Sequence, residues 1–263
     1  MTHWHSPRFH AYFPTANSYP AICGDMLSTA LACIGFTWVS VIIIPFFPLI
    51  NQLNNLQNAA PSCTELEMRM MDWLAQMLGL PDYFHFKNGG PGGGVIQTTA
   101  SESTLIAILG ARTKILQKYG LDNKITNNDD DDDENGENKD SKRYDLLGRM
   151  VAYTSNQSHS SVEKASMLSA TRIRLLPVND KDFSMDVDAL RRRIVADHER
   201  GLIPMIVIAT LGTTNTCAFD DLYRIGQLCS EFEIWLHVDA AYAGSAFVCP
   251  ELRHYMNGIE VSY

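Results

Sequence analysis

The residue best suited to chemistry in this sequence is Asp239. It ends an apolar run at 234–238 and is followed by the small residues Ala240, Ala241, Ala243 and Gly244. A short apolar run of that kind reads as a buried strand. A carboxylate at the carboxyl end of such a strand stands where open α/β sheets bind their ligands. It could hold a protonated ring nitrogen, and the small residues would let a flat ligand lie against the backbone. Taken alone, the stretch fits equally well an aspartate that caps a turn. A second stretch, Gly89-Gly-Pro-Gly-Gly-Gly94, leads through Thr99, Ala100 and Ser101 into an apolar-periodic helix over 104–117. Free N–H groups and the positive end of a helix favour a phosphate there, with hydroxyls to assist. The alternative is a flexible loop with ordinary capping. Neither a GxGxxG with a following acid nor a GxxxxGK[ST] is present, so the usual dinucleotide and P-loop patterns do not apply.

The elements that must position these residues follow from Arg149 onward. Strands are predicted at 150–153, 172–177, 205–209 and 234–238, and helices at 161–170, 186–200 and 220–233. This alternation implies a largely parallel sheet flanked by helices. It places His159, Thr214 and Asp239 at or just after strand ends, where they could share one crevice. A lone loop histidine is usually solvated or capping, but three polar residues at three strand ends form a constellation.

Upstream, residues 4–20 are aromatic and interrupted by proline, which suits neither helix nor strand. A helix is predicted over 21–38. Residues 41–50 form an apolar block with two prolines, too short to span a bilayer, and 51–60 are rich in amides. The stretch 63–80 reads as a helix, with Thr64 and Glu67 at capping-box spacing, Gly79 and Pro81 ending it, and its methionines packing a core. Residues 121–143 carry an acidic run, lack EF-hand ligand spacing and read as a solvated, disordered loop. The net charge of −9 argues against a nucleic-acid footprint. The six cysteines form no CxxC and no metal pattern, so reduced, buried thiols in a cytoplasmic protein are expected. Residues 1–6 lack the features of a signal peptide, and no membrane association is expected.

Over 12–38, 63–80, 92–112, 151–177 and 202–260 the chain resembles the group II pyridoxal 5'-phosphate (PLP)-dependent amino-acid decarboxylases, most of all the aromatic-L-amino-acid and tyrosine decarboxylases. The resemblance implies an incomplete large domain of the aspartate aminotransferase-like type, fold type I, over 21–263. Residues 1–20 would be a remnant of the N-terminal substrate-pocket segment. It implies that Asp239 partners the pyridine nitrogen, that Ala241 packs on the ring, and that His159 stacks on the other face and serves the reaction. Ala100, Ser101 and Thr214 match cofactor-contacting positions, the first two near the phosphate. Trp4, Tyr12, Phe13, Pro14 and Thr15 match the substrate pocket. Ile34 and Phe36 match residues that reach the partner subunit's pocket in the family's homodimer. No metal is implied.

Three departures accompany the resemblance. The family's Schiff-base lysine lies in an Asn-Pro-His-Lys-like motif after the stretch matching 258–260, and no lysine follows Asp239 here. The family's first helices have no counterpart before Met1. Residues 41–60 interrupt a junction that is short in the family, as a retained intron or gene-model error would. The expectation is a decarboxylase of an aromatic amino acid (DOPA, tyrosine, 5-hydroxytryptophan or tryptophan) by family, with this chain an inactive fragment. Histidine decarboxylase is the sister alternative, although the segment from Phe13 to Ala16 looks more like the aromatic branch. Aldehyde-forming relatives replace the His159 position with asparagine. The non-enzyme alternative is a fragment that only pairs with a full-length subunit. A third, an unrelated α/β binding protein, would make the resemblance a coincidence.

Overall fold

The computed structural model describes residues 18–31, 61–87, 92–121 and 139–261. The chain divides into two compact units, Met1–Glu67 and Met68–Tyr263, with the boundary inside one helix. In the first unit the described residues are helix α1 (Tyr19–Leu31) and the opening turns of α2 (Pro61–Leu78). The predicted capping box at Thr64 is not the start of α2, which begins three residues earlier at Pro61, a residue whose fixed φ suits a first turn. Gly79, with φ +72, and Pro81 end it as expected.

The second unit is built on a parallel sheet. Its elements are α3 (Ala100–Lys118), α4 (Lys139–Arg149), β1 (Met150–Ser155), α5 (Ser160–Leu168), β2 (Arg172–Leu176), α6 (Val187–Glu199), β3 (Ile203–Thr210), α7 (Leu222–Glu231) and β4 (Trp235–Asp239). Strand order is β2-β1-β3-β4, with every pair parallel. Strands buried on both faces need continuous apolar sequence, and β1 and β3, the inner pair, are buried along nearly their whole length. The outer β2 alternates arginine with apolar residues and stays half exposed, as an edge strand tolerates. Pro204 cannot donate to a ladder, and the β1–β3 register slips there: Val151 pairs with Pro204 and Ala152 with Ile206.

Side chains alternate between the two faces. Val151, Tyr153, Val207, Ala209 and Leu236 pack with α6 and α7 in one core cluster; Ala152, Ile206 and Ile208 pack with α3, α4 and α5 in the other. Asp186 caps α6 through Asp188 N–H and Ala189 N–H, and Asp221 caps α7 through Arg224 N–H. Between the α6-side face and α6, the fully buried Asp197 accepts from Arg174 Nε (2.9 Å), Arg174 Nη2 (3.0 Å), Arg193 Nε (3.1 Å) and the Tyr153 hydroxyl (3.2 Å).

Three sequence expectations are corrected. Helix α4 begins at Lys139, inside the stretch read as a disordered loop, because apolar Leu146 and Leu147 pack into the α3-side core. Of the methionines in α2, Met71 packs against Gly94, but Met70 and Met77 are exposed along with Trp73 and Leu74. Of the described cysteines, all free, Cys229 is buried while Cys23, Cys217 and Cys249 are exposed on a helix surface and in turns. The supposed insertion 41–60 and the acidic run itself lie outside the described residues. Among the described residues, no helix is long and apolar enough to cross a membrane, and no cluster of three or more His, Cys, Asp or Glu could hold a metal.

Candidate active site

The order of the strands fixes where a ligand can sit. From β1 the chain crosses by α5 to β2 on one side, then returns by α6 past β1 to β3 on the other. The two crossovers pack on opposite faces, so the sheet has a switch point between β1 and β3. Ligands of open α/β sheets bind in the crevice outside the strand carboxyl ends at such a point. His159 follows β1, Thr214 follows β3 and Asp239 ends β4. Strands β1 and β4 are two spacings apart, about 10 Å, which leaves room for a flat ring between their loops.

Helix α3 reaches the same end. Its Gly110 lies opposite Trp235 Cη2, 3.9 Å from where a Cβ would stand, and Lys114 lies over the Trp235 ring at 5.4 Å. Trp235 begins β4, so the later turns of α3 cover the start of that strand. Nine helical residues back from Gly110 to Ser101 span about 14 Å. Four strand residues from Trp235 to Asp239 span about 13 Å. The α3 N-terminus therefore arrives level with Asp239, on the same sheet face. Thr99 caps it, its Oγ1 accepting from Glu102 N–H at 3.2 Å, and the first-turn N–H groups of Ala100 and Ser101 point out of the helix end.

Asp239 is partly buried; its Oδ1 accepts from Ala241 N–H at 3.1 Å and its carbonyl accepts from Leu211 N–H at 2.9 Å. The Asx turn thus formed leaves Oδ2 for a ligand and sets Ala241 at the exposed surface beside it. Thr214 is exposed in the loop after β3. That loop is seated on the turn after β4 through Gly212, whose φ is +86 and whose notional Cβ would stand 2.8 Å from Tyr242 Cδ1. Only glycine fits a left-handed backbone at that approach. His159 is exposed and is itself the N-cap of α5.

Several residues the sequence reading passed over also belong here. Thr210 pairs in register with Asp239 on the same face, and its Oγ1 is buried with no partner among the described residues. A buried hydroxyl without a partner is costly unless something else binds it. Asp220 holds the end of β3, its carboxylate accepting from Thr210 N–H and Met185 N–H at 2.7 Å each. Burial pushes the Asp220 carboxyl above its usual range, the two backbone donors opposing that. His237, two residues before Asp239 on the same face, is pushed below the usual imidazole range by the protein packed around it, and the Asp239 carboxylate pulls the other way. The signals in the sequence were faint: a polar residue at alternate positions of an otherwise apolar strand. Trp4, Tyr12, Phe13, Pro14, Thr15, Ile34 and Phe36 lie outside the described residues.

An acid at a strand end, a helix N-terminus level with it, an orphaned hydroxyl beside it and an imidazole across the crevice suit a phosphorylated, flat, protonatable ring. That defines the large domain of a fold type I PLP enzyme. The pyridoxal-dependent decarboxylase conserved domain matches residues 1–262, and the chain belongs to that family of PLP-dependent carboxy-lyases. It is 50% identical over 260 residues to an aromatic-L-amino-acid decarboxylase of Manduca sexta, covering 99% of this chain and 44% of that protein. It is 48% identical over 262 residues to a histidine decarboxylase of Mus musculus, covering 99% of this chain and 34% of that protein. The crystal structure of Catharanthus roseus tryptophan decarboxylase with L-tryptophan superposes with a TM-score of 0.78 at 41% identity, covering 100% of this chain and 48% of that one. The chain thus spans less than half the length of these relatives.

Proposed function

We propose that this chain supplies the cofactor-binding wall of a decarboxylase that converts an aromatic L-amino acid to its amine and carbon dioxide. The observation that carries the reading is the convergence of Asp239, the α3 N-terminus and the loops bearing His159 and Thr214 at one end of the sheet. PLP, when bound, supplies an electron sink for the carbanion left as carbon dioxide departs. Asp239 would keep a proton on the pyridine nitrogen by placing negative charge beside it. His159 would cover one ring face, and the small Ala241 would let the ring lie close to the backbone. The N–H groups of Ala100 and Ser101 would bind the phosphate, with Thr214 closing the end of the site.

The names of the relatives support the substrate class, and the same reading gives the substrate pocket to Trp4, Tyr12, Phe13, Pro14 and Thr15. It gives Ile34 and Phe36 to the pocket of a second subunit in a cytoplasmic homodimer. The 48% identity to a histidine decarboxylase keeps histidine as the alternative substrate. The test is a PLP titration of the wild-type chain, D239N and H159A, followed by absorbance of the bound ring. It is paired with amine release by the protein carrying this chain, from tyrosine, DOPA, 5-hydroxytryptophan, tryptophan and histidine. D239N is expected to weaken PLP binding tenfold or more, about 1.4 kcal/mol, and an aromatic amine is expected as product. Equal PLP affinity in all three proteins would overturn the site, and histamine as the sole amine would replace the substrate.

A further inference from the structure

We propose that Ser161 is the positioning residue of His159: it fixes which ring nitrogen carries the proton and which edge of the ring meets a ligand. His159 stands immediately before α5 in extended backbone, with φ −64 and ψ 145. Its Nδ1 accepts from Ser161 N–H at 3.2 Å, and Ser161 Oγ lies 2.9 Å from the same nitrogen. A backbone N–H cannot point at a second N–H, so Nδ1 is an acceptor and the neutral ring bears its hydrogen on Nε2. The Ser161 hydroxyl then donates as well, and two donors from one residue share the Nδ1 lone pair.

Ser161 is buried, whereas His159 and Ser160 are exposed. The clamp therefore sits inside the protein and the ring it holds projects outward. Behind it, Val162 is fully buried in the α3-side core, which anchors the first turn of α5. Rotating the imidazole to present Nδ1 would abandon both donors and the cap of α5. Nε2–H is consequently the nitrogen that His159 offers to the crevice, and it offers it as a donor. This rests on the role given to His159 above, but the geometry that supports it is internal to the chain.

The experiment is long-range proton–nitrogen correlation NMR on the nitrogen-15-labelled chain, with the His159 resonances assigned by their loss in H159Q. The wild type is expected to show His159 as the Nε2–H form. In S161A only the backbone donor remains, and the bias should weaken by roughly two- to tenfold, the worth of one hydrogen bond. S161P removes both donors at a first-turn position where proline is tolerated, and should abolish the bias; S161T, which keeps both, should restore it. Unchanged resonances of the buried His85 report that each variant is folded. An Nδ1–H form in the wild type, or a His159 signature identical in wild type, S161A and S161P, overturns the proposal. PLP titrations of the same proteins separate the two readings. Should the tautomer follow Ser161 while H159Q binds PLP like the wild type, the role of His159 fails and the clamp stands.

Discussion

Replacing Gly212 by alanine tests whether the loops after β3 and β4 form one wall of the site. The backbone there has φ +86, and an added Cβ would stand 2.8 Å from Tyr242 Cδ1 and 3.1 Å from Ala243 Cβ. A left-handed conformation costs an L-residue roughly 1–2 kcal/mol. The new contacts also fall inside the carbon–carbon optimum of roughly 3.5–4.0 Å. G212A is therefore expected to lose about 2–3 kcal/mol of stability. The cheapest relief is to part the Thr213–Thr214 loop from the turn at 241–243. A protein relaxed in that way must close the gap again to bind, so PLP affinity should fall about tenfold for each 1.4 kcal/mol recovered on parting.

Urea unfolding measures the first quantity and a PLP titration the second. Gly110 serves as the control: in the interior of α3 its added Cβ would meet only Trp235 Cη2 at 3.9 Å. G110A should gain roughly 0.5–1 kcal/mol and bind PLP normally. A G212A protein as stable as the wild type would refute the strain argument. One that is destabilised but binds PLP with unchanged affinity would refute the coupling of the loop to the site.

Other outcomes follow from the buried groups. D197A leaves two guanidinium groups and the Tyr153 hydroxyl without their acceptor, and should cost about 3–5 kcal/mol in urea unfolding at pH 7. Burial opposes ionisation of Asp197, but its bonds to Arg174 and Arg193 outweigh it and hold the carboxyl below the usual range. The folded value is the lower one, so this stabilisation is present above the ordinary carboxylate range and is lost as pH falls through it; the gap between wild type and D197N should narrow toward pH 3. Burial pushes the Cys229 thiol up to about 12. Here the folded value is the higher one, so its contribution is present below the ordinary thiol range and is lost as pH rises toward 12. A thiol reagent at pH 8 should label exposed Cys23, Cys217 and Cys249 quickly and Cys229 only on unfolding.

The strand–helix alternation was legible because apolar runs and amphipathic helices leave a direct imprint, and the strands beginning at 150, 172, 203 and 235 differ from their predicted spans only at the ends. Asp239, Thr214 and His159 were legible as strand-end polar residues. Their convergence depends on the switch point, which is a property of strand order and leaves no local pattern. Thr210 and Asp220 escaped notice because a threonine or aspartate near a strand reads as turn chemistry; only burial reveals that Thr210 Oγ1 lacks a partner among the described residues and that Asp220 holds two backbone donors. Helix α4 was hidden by its neighbours, since the acidic run before Lys139 biased the reading toward a loop. The exposed Met70, Trp73, Leu74 and Met77 of α2 misled the opposite way: periodicity shows that a helix has an apolar face but not what covers it.

The two faces of the sheet divide the work, and this makes the predictions separable. The face toward α6 and α7 holds the larger core cluster and the Asp197 network. The other face bears Thr154, Thr210, His237 and Asp239 at its carboxyl end, under the N-terminus of α3. Period-2 alternation forces this separation: Tyr153 and Ala209 point one way, so Thr154 and Thr210 must point the other. A change at Asp197 should therefore move stability and leave PLP affinity in place, whereas one at Asp239 should do the reverse. Gly212 is the exception that couples them, because it joins the β3 and β4 loops by backbone fit alone. If D197A weakened PLP binding as much as it lowered stability, the sheet would not be the rigid divider that this division requires.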